Sequence, residues 1–154
     1  MLTTSLAAAT AATTVGAAEE RFDVGLRLIV PAFVSQDSNL QFPEQIAGNA
    51  AQLVITPDGN GAAQFITTGE PLRAITASIV EPSIVMEIGE GGTPASQIVV
   101  NNFTLGGSVD ANGAGSLNSE GILGNIRVGA TANIAAENQS GNYVGVATFR
   151  IIYA

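Results

Sequence analysis

The sequence predicts an all-β domain, a sandwich of short antiparallel strands. Apolar and polar residues alternate with a period of two along most of the chain, as they do where a strand buries one face. Val, Ile, Thr and Ala dominate, and 18 Gly residues fall mainly in turn clusters between the alternating runs. Beyond the Ala-rich first 18 residues, no stretch repeats every 3.6 residues as a buried helix would. A chain of 154 residues is expected to form one domain with a core of useful size.

Residues 1–18, MLTTSLAAATAATTVGAA, are uncharged and end in small residues before Glu19-Glu20-Arg21. This pattern predicts the later part of a secretory signal peptide, cleaved near Glu19, although a positively charged start is missing. It is too short and too polar for a membrane span, so no membrane insertion of the mature chain is expected.

Residues 19–34 carry the next run, RFDVGLRLIV. Phe22, Val24, Leu26, Leu28 and Val30 share one face, and Pro31 stops the ladder. Two roles fit such a strand: the first strand of its own domain, or a strand donated to a neighbouring copy. Ser35–Asn39 is expected to be a loop before the body of the domain, residues 35–154.

In the body, Leu40–Ile46 predicts a short strand broken by Pro43, and Ala51–Thr56 a strand with Leu53 and Ile55 inward. The cluster PDGNG at 57–61 predicts a turn. Strands follow at Ala62–Thr68 with Phe65 inside, at Arg73–Val80 with Ile75, Ala77 and Ile79 inward, and at Ser83–Ile88 with Ile84, Met86 and Ile88 inward. After the turn GEGGTP, Gln97–Leu105 is expected to turn Val99, Phe103 and Leu105 to the core. Gly106–Gly121 predicts a loop or weak hairpin. Ile122–Ile134 is the clearest strand, with Ile122, Gly124, Ile126, Val128, Ala130, Ala132 and Ile134 on one face.

The last run, Tyr143–Ala154, reads YVGVATFRIIYA. Tyr143, Gly145, Ala147, Phe149, Ile151 and Tyr153 form the expected core face and hold three of the chain's eight aromatic residues. A strand this apolar calls for a neighbour on each side. No strand follows it in the sequence, so the missing neighbour is expected from another copy of the protein.

The composition narrows the function. The net charge is −8 and the five basic residues are all Arg, so the basic footprint that nucleic acid requires is missing. There is no Cys and no His, which removes thiol nucleophiles, the commonest general base and the commonest zinc ligands. Asp58-Gly59-Asn60-Gly61 and Asp110-Ala111-Asn112-Gly113 have oxygen ligands of the kind calcium takes, but lack the EF-hand spacing and its closing Glu, and read as turns. Glu81, Glu87 and Glu90 lie close in sequence, yet nothing sets two of them across a cleft as a glycosidase requires. No enzyme activity and no cofactor are expected.

Val128–Thr131 (VGAT), then Gln139, Gly141, Tyr143, Gly145 and a final strand ending at Tyr153, resemble the C-terminal signature of the secreted bacterial family known as domain of unknown function 4402. That family is similar in turn to the subunits of chaperone–usher pili. Tyr153 is penultimate and Gly141 fourteenth from the end, as in many pilins; the absence of Cys departs from the disulfide of many archaic ones. The resemblance implies an immunoglobulin-like β-sandwich that is incomplete and is completed by an N-terminal donor strand, Phe22, Val24, Leu26, Leu28 and Val30, from a neighbouring subunit. The acceptor would be bordered by Gly141, Tyr143, Phe149, Ile151 and Tyr153. It also implies a periplasmic chaperone and an outer-membrane usher as partners, and a head-to-tail polymer of this chain at the cell surface. The alternatives are a secreted β-sandwich that binds carbohydrate, and a monomeric surface domain whose N-terminal strand folds back on itself.

Overall fold

The computed structural model describes residues 16–154, so most of the expected leader lies outside the described residues. Nine strands are present among them: β1 (Phe33–Ser38), β2 (Ala51–Ile55), β3 (Ala63–Thr68), β4 (Ala74–Ile79), β5 (Ser83–Glu87), β6 (Gln97–Gly107), β7 (Ala114–Ser116), β8 (Ile122–Ile134) and β9 (Phe149–Tyr153). A single 3₁₀ turn at Pro94–Ser96 precedes β6, and no α-helix occurs among the described residues.

All pairings are antiparallel and form two sheets, which makes the domain an all-β sandwich. The large sheet has the order β1-β3-β8-β6-β5, with β2 also paired to β8. Strand β8 is long enough to take two partners on one edge: Ile122–Val128 faces β3, and Ala130–Ile134 faces β2. The small sheet has the order β9-β4-β7.

Most inward faces follow the alternation in the sequence. Ile55, Ile75 and Ala77 are buried, as are Ile126, Val128, Ala130 and Ala132. Two β-bulges change the rest. Asn102 adopts φ 52°, and the β6–β8 register shifts between Asn101 and Thr104. The extra residue reverses the parity of β6. Ile98 and Val100 therefore point inward and Val99 outward, not inward as expected, while Phe103 and Leu105 keep their inward places. Asn125 does the same in β8, with φ 56°. Ahead of it Leu123 packs on the core, and Ile122 is turned out.

Three boundaries also differ from expectation. Ser35–Ser38, expected as part of a loop, belongs to strand β1: its backbone pairs with β3 although its side chains are mostly exposed. Leu40–Ile46 forms no strand; Pro43 lacks the N–H that a ladder needs there. The last strand is regular only from Phe149, and its earlier half touches the large sheet at one bridge, Val144 to Glu87.

The core has two halves. In the closed half the small sheet covers the large one, and Ile75, Ala77, Val109, Leu117 and Ile126 pack with Phe65, Leu123, Phe149 and Ile151. In the other half Ile98, Val100, Ala130 and Ala132 have no opposing sheet. Ile84 and Met86 pack beside them from the neighbouring strand of the same sheet, and Leu40, Phe42 and Tyr143 pack on them from the irregular segments.

Candidate functional site

The half that the small sheet leaves uncovered is an open groove of about 830 Å³. Its floor is the inner face of the large sheet, including Leu53, Ile98, Val100, Phe103, Val128 and Ala132. One wall is the irregular segment 39–47, with Leu40 and Phe42 facing in. The other is the segment 138–149.

Several local features build that second wall. Asn138 is buried and satisfied: its amide donates to the carbonyls of Pro94 (3.1 Å) and Gln97 (2.8 Å), and its side-chain oxygen accepts from Ala135 N–H (2.7 Å). Tyr143 donates its hydroxyl proton to the carbonyls of Gln139 (2.7 Å) and Ala95 (3.1 Å), so the ring stands over the floor with its polar end anchored. Gly141 has φ 145°, and a Cβ there would lie 2.0 Å from Ile88 Cδ1, so only glycine lets the wall approach this closely.

The wall then crosses from the large sheet to the small one. Glu87 and Val144 exchange backbone hydrogen bonds, and Val80 N–H donates to the Thr148 carbonyl. Glu81 holds the crossing point: Thr148 N–H and hydroxyl donate to its two oxygens at 2.7 and 2.8 Å. These bonds, the backbone one first, hold the Glu81 carboxyl below its usual range. From Phe149 onward the segment pairs with β4 on one edge. Among the described residues, no strand pairs with its other edge.

The N-terminal extension, Gly16–Ala32, makes no sheet pairing. Phe22, Val24, Leu26 and Leu28 are 82–85% exposed, a row of four large apolar side chains in solvent. Val30 differs. Its N–H donates to Glu70 Oε1 at 2.9 Å, and its carbonyl accepts the Tyr153 hydroxyl at 2.6 Å. Arg27 also pairs with Glu70. The Val30 N–H and then Arg27 hold the Glu70 carboxyl below its usual range.

The expected site residues thus separate. Gly141, Tyr143 and Phe149 line the groove. Ile151 and Tyr153 lie past it and pack on the closed half of the core, because β9 has joined the small sheet by then. Sequence reasoning missed the opposite wall and the floor. The pair Leu40 and Phe42, two apart beside Pro43, was the available signal for that wall. It also missed Glu70, and the partner of Glu81, Thr148, because these contacts join residues far apart in sequence. The Asp110 turn is a backbone device, since its Oδ1 accepts from Asn112 and Ala114 N–H, each at 2.9 Å.

Both lowered carboxyls give a pH dependence of known sign. Each group binds its proton more weakly when folded, so its stabilisation is present above the ordinary glutamate value of 4.5 and is lost as pH falls through the lowered folded value. The charges facing Glu70 are Arg27 and Arg73, and Glu81 is influenced by Arg150. Urea midpoints measured from pH 7 to pH 3 should fall on acidification. The fall should be shallower in Glu70→Gln/Glu81→Gln; equal slopes would show that neither carboxyl is linked to folding.

No curated protein and no solved structure matches the chain. Residues 44–153, well over half of the sequence, match the profile described as Domain of unknown function (DUF4402). The matched region begins within the first groove wall and runs through β9, so it contains the groove's apolar floor and the Gly141–Tyr143 turn but neither Leu40 and Phe42 nor the extension. The chain therefore belongs to the DUF4402 family.

Proposed function

We propose that this protein is the structural subunit of an extracellular filament, assembled by donor-strand exchange. One observation carries the reading. The chain has an open, strand-length apolar groove, and it also has an unpaired apolar row at period two that its own body does not bury. Each is what the other lacks. Seven residues from Tyr143 to Phe149 span roughly 20 Å when extended, and Phe22–Leu28 is equally long. An inserted strand would run along the 143–149 wall toward the free edge of β9 and gain backbone hydrogen bonds there, while its alternate side chains filled the groove. The sandwich is then immunoglobulin-like and one strand short, and the neighbour's extension supplies that strand. A contact of this kind is heterologous and does not close on itself, so it propagates as a filament.

On this reading residues 1–18 direct export and are removed. A periplasmic chaperone covers the groove before assembly, and an outer-membrane usher accepts the subunit; both follow from the likeness to pilins. Phe22, Val24, Leu26 and Leu28 enter the acceptor, and Val30 sits at the root of the donated segment.

The test is assembly of the purified intact chain, followed by size-exclusion chromatography and electron microscopy. Wild type should form concentration-dependent chains, and Leu26→Asp should remain monomeric with an unchanged melting temperature, because the residue lies outside the folded body. If Leu26→Asp unfolds the monomer, the strand belongs to its own domain. If wild type stays monomeric at every concentration, the filament reading fails.

A further inference from the structure

The root of the extension is held more firmly than a free tail requires. Val30 and Glu70 are joined in a ring. Val30 N–H donates to Glu70 Oε1 (2.9 Å), Glu70 N–H donates to the Tyr153 hydroxyl oxygen (2.8 Å), and that hydroxyl donates to the Val30 carbonyl (2.6 Å). The tyrosine hydroxyl thus accepts once and donates once, the pattern in which neighbouring bonds strengthen each other. Arg27 closes over the same carboxylate. The guanidinium of Arg73 lies 5.7 Å from the centre of the Tyr153 ring, which fixes the ring from its face. Gly69 makes room: a Cβ there would lie 2.3 Å from the Tyr153 hydroxyl.

The backbone adds direction. Pro31 restricts Val30 to extended conformations. After Pro31 the chain runs through β1 toward the groove, whose lining begins at Gln36. An extended path through Val30 and Pro31 therefore carries Leu28 and the residues before it away from that groove. For Phe22–Leu28 to reach the groove of its own chain, the backbone must reverse close to Val30, whose N–H and C=O are both already bound.

We propose that Glu70 and Tyr153 form a clamp on Val30 that keeps the N-terminal apolar row out of the groove of its own chain and presents it to another copy. This rests on the donor-strand reading. It extends that reading by assigning residues to the choice between self-complementation and exchange.

The experiment uses the full chain, which contains no cysteine, so two introduced thiols are labelled without competition. Spin labels at Asp23→Cys on the extension and Glu44→Cys on the groove wall report fold-back by pulsed electron resonance, at concentrations where the chain is monomeric. The clamped chain should give one long distance. Tyr153→Phe, which keeps the packed ring and removes only the hydroxyl, should produce a short-distance population several-fold above wild type. Glu70→Ala should do so more strongly. Glu70→Gln, which retains an acceptor for Val30 N–H but no charge for Arg27, should fall between. Assembly in the two stronger variants should slow several-fold as self-filled monomers accumulate. Unchanged distances in Tyr153→Phe and Glu70→Ala would overturn the clamp even if the chain assembles. Shifted distances in a chain that never assembles would keep the clamp and overturn the filament.

Discussion

Phe149→Ala should destabilise the protein by about 3 kcal/mol, toward the low end of the roughly 3–5 kcal/mol seen when a buried Phe is truncated. The low end applies because the ring is half-buried: it lines the groove as well as the core. Its main partner is Phe65, whose ring is stacked on it at 4.1 Å between centroids and 7° between planes. Such a pair contributes about 0.5–1.5 kcal/mol beyond its area. Truncation removes that term and leaves a void where the small sheet meets the open half of the core. Urea denaturation should show a lower midpoint with an unchanged slope. Ile152→Ala is the control, since Ile152 points outward on the same strand and is 54% exposed. It should stay within about 0.5 kcal/mol of wild type. Equal effects at the two positions would mean that the two faces of β9 have been assigned wrongly.

The second large effect is expected from a peptide. Intact Leu26→Asp protein, unable to donate its own strand, should be stabilised by a synthetic peptide of residues 21–31. Burying a large apolar side chain is worth roughly 1.5–3 kcal/mol, so the four residues Phe22, Val24, Leu26 and Leu28 offer about 6–12 kcal/mol. That is an upper bound, because a free peptide already hides part of its surface. Association and strand ordering cost several kcal/mol of it. At a peptide concentration about 100-fold above its dissociation constant the gain is roughly 2.7 kcal/mol. For a domain of this size that corresponds to an increase in melting temperature of roughly 10 °C. A peptide carrying Leu26→Asp should give little or none, since a charge would be buried without a partner. Identical melting curves with the two peptides would rule out strand complementation in trans.

Much of the fold is legible in the sequence because period-two burial depends on local geometry alone. Leu53 and Ile55, Ile75 and Ala77, and the run from Ile126 to Ala132 all face where alternation puts them. The failures have a common cause, which is that pairing partners lie far off in sequence. Nothing near Asn102 or Asn125 reveals that the facing strand skips a residue there, yet each bulge inverts the strand ahead of it. The polar Ser35–Ser38 part of β1 looks like a loop because its order comes from the backbone of β3, not from buried side chains. Of the candidate site, the exposed row and the Gly141–Tyr143 wall were readable. The groove was not, because it exists only where a short sheet stops above a longer one. The contact of Glu70 with Val30 joins residues on separate runs, and no spacing within either run encodes it.

The order of the small sheet also bears on how the molecule comes to be folded. Its central strand, β4, takes β7 on one edge and β9 on the other. Both partners are made later than β4, and β9 lies at residues 149–153. During synthesis, Ile75 and Ala77 therefore lack one flanking strand until nearly the whole sequence has emerged. Pairings this distant close large loops before they yield contacts, which makes folding slow. Until then an apolar strand and a sheet edge stay open to other chains, the condition under which aggregation competes with folding. The open edge of β4 is thus exposed to other chains until β9 arrives, whatever later fills the groove.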